Sequence, residues 1–224
     1  LDTTILEHKK TLLMAGDSVT ESGRDRAIGI GADSLGYGYV SCLAQLLIKH
    51  NKENEITLIN MGISGNTIKD LRSRWKNDVL DLNPDWISIM IGINDVWRQF
   101  DSPGLSSIST LDEYEKCLNN LILLTSNSVE KIILMTPFLV EPNYSDPMRM
   151  MVNGYVKVVR QLAVTNGLVL VDTQNKFDLA MAKIKPEELA EDRIHPTIVG
   201  HNLIAEAFME SLFDDYQQPS VLNG

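Results

Sequence analysis

Four short blocks of this 224-residue chain carry residue types that together do acyl-transfer chemistry. Gly16-Asp17-Ser18 follows the apolar run Thr11–Ala15, so a hydroxyl stands just past a strand end, before any helix begins. A serine in that place can be a nucleophile if a base takes its proton. Far downstream, Asp192-Arg193-Ile194-His195-Pro196 sets an acid and an imidazole three residues apart, close enough to meet within one turn. A carboxylate bonded to one ring nitrogen fixes the tautomer and leaves the other nitrogen free to accept a hydroxyl proton. His195 therefore reads as a base and Asp192 as its orienter, with Pro196 placed to start the last helix.

The other two blocks supply hydrogen-bond donors for a developing negative charge. Asn60-Met61-Gly62-Ile63-Ser64-Gly65-Asn66-Thr67 is a glycine-bearing loop opening into a helix near Ile68, and its backbone N–H groups can face an anion. Gly92-Ile93-Asn94-Asp95 places an uncharged amide donor after another strand. Taken singly, each block has an ordinary explanation: a turn serine, glycines for backbone geometry, a turn asparagine, a capping histidine. Taken jointly, nucleophile, oxyanion donors and an oriented base all emerge at strand ends, and that coincidence favours catalysis. Asp17 and Asp95 read as loop-fixing acceptors. Ser64 is a rival nucleophile without a neighbouring base. His8, His50 and His201 read as surface groups.

The elements that must bring these blocks together are legible as periodicity. Strand candidates are Thr11–Ala15, Ile56–Asn60, Trp86–Ile91, Lys131–Thr136 and Leu168–Asp172. Between them run stripes of helical spacing: Leu35, Tyr39, Leu43 and Leu46; Ile68, Leu71, Trp75 and Val79; Leu111, Tyr114, Leu118, Leu121 and Ile122. Two more follow, at Met151, Val152, Tyr155, Val159 and Leu162, and at Val199, Leu203, Ile204, Ala207 and Phe208. Short apolar strands alternating with amphipathic helices predict an α/β three-layer sandwich on a parallel sheet. The irregular stretches Ser22–Ser34, Phe100–Thr110 and Glu141–Asp146 are expected at the carboxyl edge of that sheet, where such folds place their sites. No repeat or linker divides the chain, so residues 1–224 are expected to form one domain.

Composition narrows the function further. Hydrophobic residues make up 44% and charged residues 22%, an ordinary globular balance. With 20 basic against 30 acidic residues the net charge is −10, which disfavours nucleic acid and anionic lipid. No apolar run approaches the ~20 residues of a membrane helix. Leu1–Lys10 lacks the apolar stretch and cleavage site of a secretory signal, which favours a cytoplasmic protein, although the chain begins without Met. Cys42 and Cys117 lie in helical stripes and read as buried thiols. No His/Asp cluster has metal-ligand spacing, so no metal or other cofactor is expected. The GxSxG elbow of another serine-hydrolase architecture is absent.

In order and approximate spacing, Gly16-Asp17-Ser18-Val19, Gly62–Thr67, Gly92–Asp95 and Asp192–Pro196 resemble the SGNH (GDSL) hydrolase superfamily. The resemblance implies a flavodoxin-like five-stranded parallel sheet of order 2-1-3-4-5, with Ser18 as nucleophile, His195 as base and Asp192 as its orienter. It also implies oxyanion donors at the Ser18 N–H, the Gly65 N–H and the Asn94 side chain. Gly65 is preferred to Gly62 because the family's block ends in a Ser-Gly pair before the helix.

A narrower resemblance runs through Gly62–Asp81, Pro84–Pro103, Ile133–Arg160 and Val171–Asp178. These segments are similar to intracellular acetylxylan esterases of bacilli, which deacetylate xylo-oligosaccharides inside the cell. Glu191 departs from that family, which carries Trp before the acid, and Phe100–Thr110 differs in detail. The expected partner is an acetylated oligosaccharide, with Asn66, Trp97 and Arg98 as candidate substrate contacts; Trp97 serves equally well as core packing. A lysophospholipase or acyl thioesterase would use the same groups, and a non-catalytic anion-binding module is the alternative outside enzymes. A homo-oligomer is also expected, with Tyr37, Tyr39, Trp97 and Phe100 as candidate contact residues.

Overall fold

Leu12, Leu13, Met14 and Ala15 are consecutive and wholly inaccessible to solvent. Side chains alternate faces along a strand, so such a run is satisfied only when both faces are covered. It forms the centre of β1 (Lys10–Gly16) in a computed structural model that describes residues 9–25, 34–50, 52, 55–102 and 108–213. With β2 (Ile56–Gly62), β3 (Trp86–Met90), β4 (Lys131–Met135) and β5 (Val169–Val171), it makes a parallel sheet of order 2-1-3-4-5. This is the expected three-layer architecture, with each strand within two residues of its predicted bounds.

The helices are α1 (Ser18–Glu21), α2 (Tyr39–Lys49), α3 (Ile68–Asp78), α4 (Ile93–Asp101), α5 (Leu111–Thr125), α6 (Pro147–Asn166), α7 (Thr173–Met181), α8 (Pro186–Leu189) and α9 (Ile198–Leu212). On one face, Leu13, Ala15, Ile87 and Ile89 pack with Leu71 and Trp75 of α3, Leu118 and Leu121 of α5, and Val152 and Tyr155 of α6. On the other face, Leu12, Met14 and Ile133 meet Leu43 of α2, Phe177 of α7 and Phe208 of α9. Each fully buried large side chain in these layers contributes about 1.5–3 kcal/mol. The indole tip in the α3–α5 seam is satisfied, since Trp75 Nε1 donates to Thr125 Oγ1 at 3.0 Å.

Local chemistry sets the helix ends. Thr67 and Asp70 form a reciprocal capping box on α3, and Thr110 and Glu113 do the same on α5. Asp146 caps α6 with Pro147 in its first turn, and Gly167 ends that helix in the left-handed region at φ 63°. Four helices differ from the periodicity reading. The stripes did not register α1 and α8, which are single turns, α7, whose apolar residues gather in its second half, or α4, whose Ile93, Val96, Trp97 and Phe100 do have helical spacing. The start of α4 buries Asn94 and Asp95, polar residues set between Ile93 and Val96. Leu35, counted with the first stripe, lies ahead of α2.

Register aligns the strand ends. Gly16 pairs with both Gly62 and Met90, so the segments leaving β1, β2 and β3 depart from the sheet at one level. Three of the four sequence blocks are thereby neighbours before any side chain is considered. Among the described residues, no helix is long and apolar enough to cross a membrane.

Candidate active site

Gly16 makes the first turn possible. A Cβ there would meet Thr20 Oγ1 at 2.1 Å and the Met90 carbonyl oxygen at 2.6 Å, so any side chain would push the chain off the sheet edge. Asp17 then caps α1, accepting from the Val19 N–H at 3.0 Å. Ser18 is accordingly the first residue of a helical turn, a correction to the expectation that no helix begins until beyond it. Burial pushes the Asp17 carboxyl up to about 7, against the opposing effects of the Val19 N–H, His195 and Arg74.

The Ser18 hydroxyl lies 3.1 Å from His195 Nε2, although 177 positions separate the two residues. On the other side of the ring, His195 Nδ1 lies 2.7 Å from Asp192 Oδ2. The remaining carboxylate oxygen, Asp192 Oδ1, accepts the backbone N–H groups of Ile194 at 3.0 Å and His195 at 2.7 Å. Burial alone would raise the Asp192 pKa, but those N–H groups and the imidazole outweigh it and hold the carboxyl below its ordinary value. A carboxylate bonded to Nδ1 sets the tautomer with an open Nε2 facing the hydroxyl, an arrangement that can activate a serine as nucleophile.

Asp192 and His195 meet through a closed loop rather than a helical turn. Ala190 bridges Pro196 in antiparallel fashion, the Glu191 N–H donates to the His195 carbonyl at 3.0 Å, and Arg193 adopts φ 75°. The Arg193 side chain holds that conformation by pairing with Asp146 and Glu141, at 2.9 and 3.0 Å. The last helix starts at Ile198 with Thr197 as its cap, so Pro196 closes the bridge instead of opening the helix.

The donor loops converge on the same edge. Gly65 has φ 79°, and a methyl group there would meet only the Arg98 guanidinium, at 3.9 Å, so its exposed side is open. Asn94 is 1% exposed and spends one amide hydrogen on the Asn66 carbonyl at 3.0 Å, leaving a second for a ligand. Asp95 accepts the Ile68 N–H at 3.0 Å, as expected of a loop-fixing residue, and burial pushes its carboxyl up to about 7.

That shift has a testable consequence. The native state keeps the Asp95 proton over an interval in which the unfolded chain, with the ordinary 3.8, has lost it. The stability this contributes is complete below about pH 4 and is lost as pH rises through 7, on the order of a few kcal/mol. Asp95→Asn is expected to flatten the fall of Tm between pH 4 and 8. Asp17 acts in the same direction, so part of the slope should remain. Parallel Tm profiles for the two proteins would show that Asp95 is ionised throughout.

Of the candidate substrate contacts, Asn66 bonds through its side-chain oxygen to Arg74 at 2.7 Å. Trp97 is partly buried against the core and sets its ring edge toward His195, centroids 5.9 Å apart at 75°. Its packing role is met, and its edge stands beside the imidazole. The Arg98 guanidinium covers the Trp97 ring at 5.0 Å and pairs with Asp101 at 2.8 Å. An open cleft of about 350 Å³ is lined by Ser18, Glu21, Ser64, Glu191, His195 and His201, among others. A groove of similar volume between α7 and α9, about 340 Å³, has no imidazole in its lining.

Two expectations are corrected. His201 is buried: its Nδ1 accepts the Tyr39 N–H at 3.1 Å, and its Nε2 lies 3.4 Å from Ser22 Oγ, behind the nucleophile's turn. Burial, with a smaller effect from His195, pushes its pKa down to about 4, so it is neutral at pH 7. Tyr39, named as a contact residue, is wholly buried, whereas Tyr37 and Phe100 are exposed. His50 is half-buried at the end of α2, and His8 lies outside the described residues, as do parts of Ser22–Ser34 and Phe100–Thr110. Cys42 and Cys117 are buried free thiols, as expected. Among the described residues, no group of three or more His, Cys, Asp or Glu side chains is arranged to hold a metal.

Sequence reasoning missed the supports of the site. Glu21 accepts the Ser64 N–H at 2.5 Å, and Asn60 donates to the carbonyls of Thr20 at 2.7 Å and Leu35 at 3.0 Å. The only signal for Asn60 was a polar residue at the end of an apolar strand, and for Glu21 there was none.

A doubly wound sheet carrying this hydroxyl, imidazole and carboxylate in series at its carboxyl edge defines a carboxylic ester hydrolase. The chain belongs to the GDSL-like Lipase/Acylhydrolase family, whose profile matches residues 14–203, in agreement with the resemblance carried by the four blocks. An acetylxylan esterase of Geobacillus stearothermophilus is 47% identical over 203 residues, covering 90% of this chain and 93% of that protein. The crystal structure of the Geobacillus stearothermophilus acetylxylan esterase Axe2 superposes with a TM-score of 0.86 at 46% identity, over 90% of this chain and 93% of the other. A protein from the Lake Arreo metagenome, described as an alpha/beta hydrolase enzyme, gives 0.87 at 43% identity, over 90% and 94%. Structures of Axe2 described as catalytic mutants have alanine at a serine, a histidine and an aspartate, the last two three positions apart.

Proposed function

We propose that this chain is a serine esterase that removes acetyl groups from xylo-oligosaccharides, with residues 1–224 acting as one catalytic domain. The observation that carries the reading is the unbroken Ser18–His195–Asp192 series, 3.1 and 2.7 Å. The acetyl substrate is supported by the likeness to Axe2, described as an acetyl-xylooligosaccharide esterase.

In this mechanism the Ser18 oxygen bonds to the acetyl carbonyl carbon as its proton passes to His195 Nε2. The tetrahedral oxyanion is held by the N–H groups of Ser18 and Gly65 and the second amide hydrogen of Asn94. Collapse breaks the bond to the sugar oxygen, which leaves with the proton from His195, and acetyl-Ser18 remains. Water then attacks the acetyl carbon, His195 takes the water proton and returns it to Ser18, and acetate departs. Asp192 stays ionised, holding the ring and stabilising the imidazolium. Trp97, Arg98 and Asn66 border the sugar.

Asn94→Ala is expected to lower kcat by roughly 10²–10³ with little change in KM, because the donor it removes acts on charge present only in the transition state. An unchanged kcat would exclude Asn94 from the oxyanion site. Substrate class is tested by acetate release from acetylated xylo-oligosaccharides against aryl acetate and aryl octanoate. Preference for the sugar ester is expected; preference for the octanoate would turn the assignment toward lipid esters. The same reading includes a cytoplasmic enzyme, in keeping with two free thiols, and a homo-oligomer, in keeping with the exposed aromatic rings of Tyr37 and Phe100. Cell fractionation and light scattering test these two points.

A further inference from the structure

One cation ties the site's loops together. Arg74 sits in the second turn of α3, with its side chain 13% exposed, and directs four of its five N–H groups at four separate places. Nη2 donates to the Gly16 carbonyl at 2.9 Å, two residues ahead of Ser18. Nη1 donates to the Met61 carbonyl at the end of β2 and to Asp78 one turn along α3, both at 2.8 Å. Nε donates to the Asn66 side-chain oxygen at 2.7 Å, and the carbonyl of the same Asn66 receives the Asn94 amide at 3.0 Å.

A guanidinium is a rigid planar fork, so its partners are held at fixed separations; an ammonium at the end of a flexible stem cannot do this. Gly16 leads to the Ser18 N–H, the peptide before Asn66 carries the Gly65 carbonyl adjoining the Gly65 N–H, and Asn66 holds the Asn94 amide. All three oxyanion donors are thus referenced to one plane. Such constellations need placement to about 0.5 Å, and a 1 Å error can cost on the order of 100-fold in rate.

We propose that Arg74 is the positioning residue of the oxyanion site, locking the loops after β1 and β2 to each other and, through Asn66, to Asn94. Arg74 touches no substrate; it acts by fixing the donors. The assignment rests on the serine-esterase reading above. Asp78, its partner one turn on, aims the fork.

The test is a double-mutant cycle on aryl acetate hydrolysis with Arg74→Lys and Asn94→Ala. Arg74→Lys is expected to lower kcat by about 30–100-fold with KM within about twofold, while retaining a cooperative thermal transition. In that background Asn94→Ala should cost less than about tenfold, far below its effect in the parent, because the donor is already misplaced. In Arg74→Ala, millimolar guanidinium should restore kcat by about tenfold and methylammonium should not. Multiplicative losses in the cycle, or an Arg74→Lys variant of parental kcat, would overturn the proposal. If Arg74→Lys does not fold, Asn66→Ala replaces it in the cycle, since Asn66 is the link through which Arg74 reaches Asn94, and multiplicative losses there are equally fatal. Ser18→Ala separates the two levels: if it retains activity, the esterase mechanism fails, whereas an inactive Ser18→Ala with a multiplicative cycle sinks only the role of Arg74.

Discussion

Replacing Ser18 by alanine is expected to abolish acetate release, lowering kcat by about 10⁶ at unchanged fold, as removal of the nucleophile does in other serine hydrolases. No other group takes over. Ser22 and Ser64 also line the cleft, but the Ser22 hydroxyl is bonded to the Ser18 and Val19 carbonyls, the Ser64 N–H is held by Glu21, and His195 Nε2 faces the Ser18 hydroxyl at 3.1 Å. The residual rate should be that of the oxyanion donors acting on water, about 10³–10⁴ above the uncatalysed reaction. The loss belongs to chemistry and not to stability, because the hydroxyl is half-buried at a cleft wall and, among the described residues, its side-chain partner is His195. Steady-state kinetics with acetylated xylo-oligosaccharide and with aryl acetate, alongside thermal melts, measure both. Labelling by a serine-directed phosphonate should disappear in the same variant. Activity within tenfold of the parent would end the assignment of Ser18.

The second large effect concerns a single atom. Asp192→Asn is nearly isosteric, yet it is expected to cost about 10⁴ in kcat, and the structure supplies a specific reason. Asp192 Oδ1 accepts two backbone N–H groups, from Ile194 and His195, so in the variant the amide oxygen must stay on that side. The amide NH₂ then faces His195 Nδ1, which has to become the acceptor, and the ring proton moves to Nε2. A protonated Nε2 cannot take the proton of Ser18. Because Asp192 and His195 side chains are 48% and 38% exposed, water can partly reorient the ring, which makes 10⁴ the upper end of the expected loss. The parental carboxyl is held below its ordinary value, so its own protonation should not limit activity until well into acid. Kinetics from pH 5 to 9 test this. A variant losing less than tenfold across that range would remove Asp192 from its orienting role.

The supports behind these residues explain why the site tolerates so little change. The nucleophile's turn is held from below by the Asn60 amide and from behind by Ser22 and neutral His201, whose ring accepts the Tyr39 N–H. Gly62 must be glycine for the same turn to pack, since a Cβ there would meet the Glu21 nitrogen at 2.2 Å. The acid–base loop is held by the Ala190–Pro196 bridge and the ion pairs of Arg193. Glu191, next to Asp192, adds an exposed carboxylate to the cleft where the resemblance to acetylxylan esterases leads one to expect an aromatic ring.

Much of this was legible in the chain itself. Apolar runs of five or six residues between helical stripes predicted all five strands, because a strand buried on both faces leaves a nearly uninterrupted apolar trace. Ser18, Asn94, Asp192 and His195 stood out as candidates because each follows a strand or precedes a helix in a block whose residue types have few joint uses, whereas Gly65 was chosen through the family resemblance. What escaped was of two kinds. The apolar residues of α7 gather in its second half and show no period, while the stripe Ile93, Val96, Trp97 and Phe100 of α4 was present but lay in a block read for its Asn94 and Asp95. Supporting groups such as Arg74, Glu21 and His201 look like surface residues in sequence, since a cation, an acid or an imidazole on an amphipathic helix is most often solvated.

The amino-acid order by itself determined the class of fold, the succession of strands and the candidate reactive side chains, because burial patterns and turn chemistry are local properties. Only the tertiary structure decided that Asp192 meets His195 across a bridge-closed loop, that His201 is buried and neutral, and that one guanidinium joins the ends of β1 and β2. Apart from the Asp192–His195 pair, those contacts join residues 13 to 179 positions apart, and the reason is physical: a hydrogen bond depends on where the packed elements bring donor and acceptor, and sequence separation carries no record of that distance.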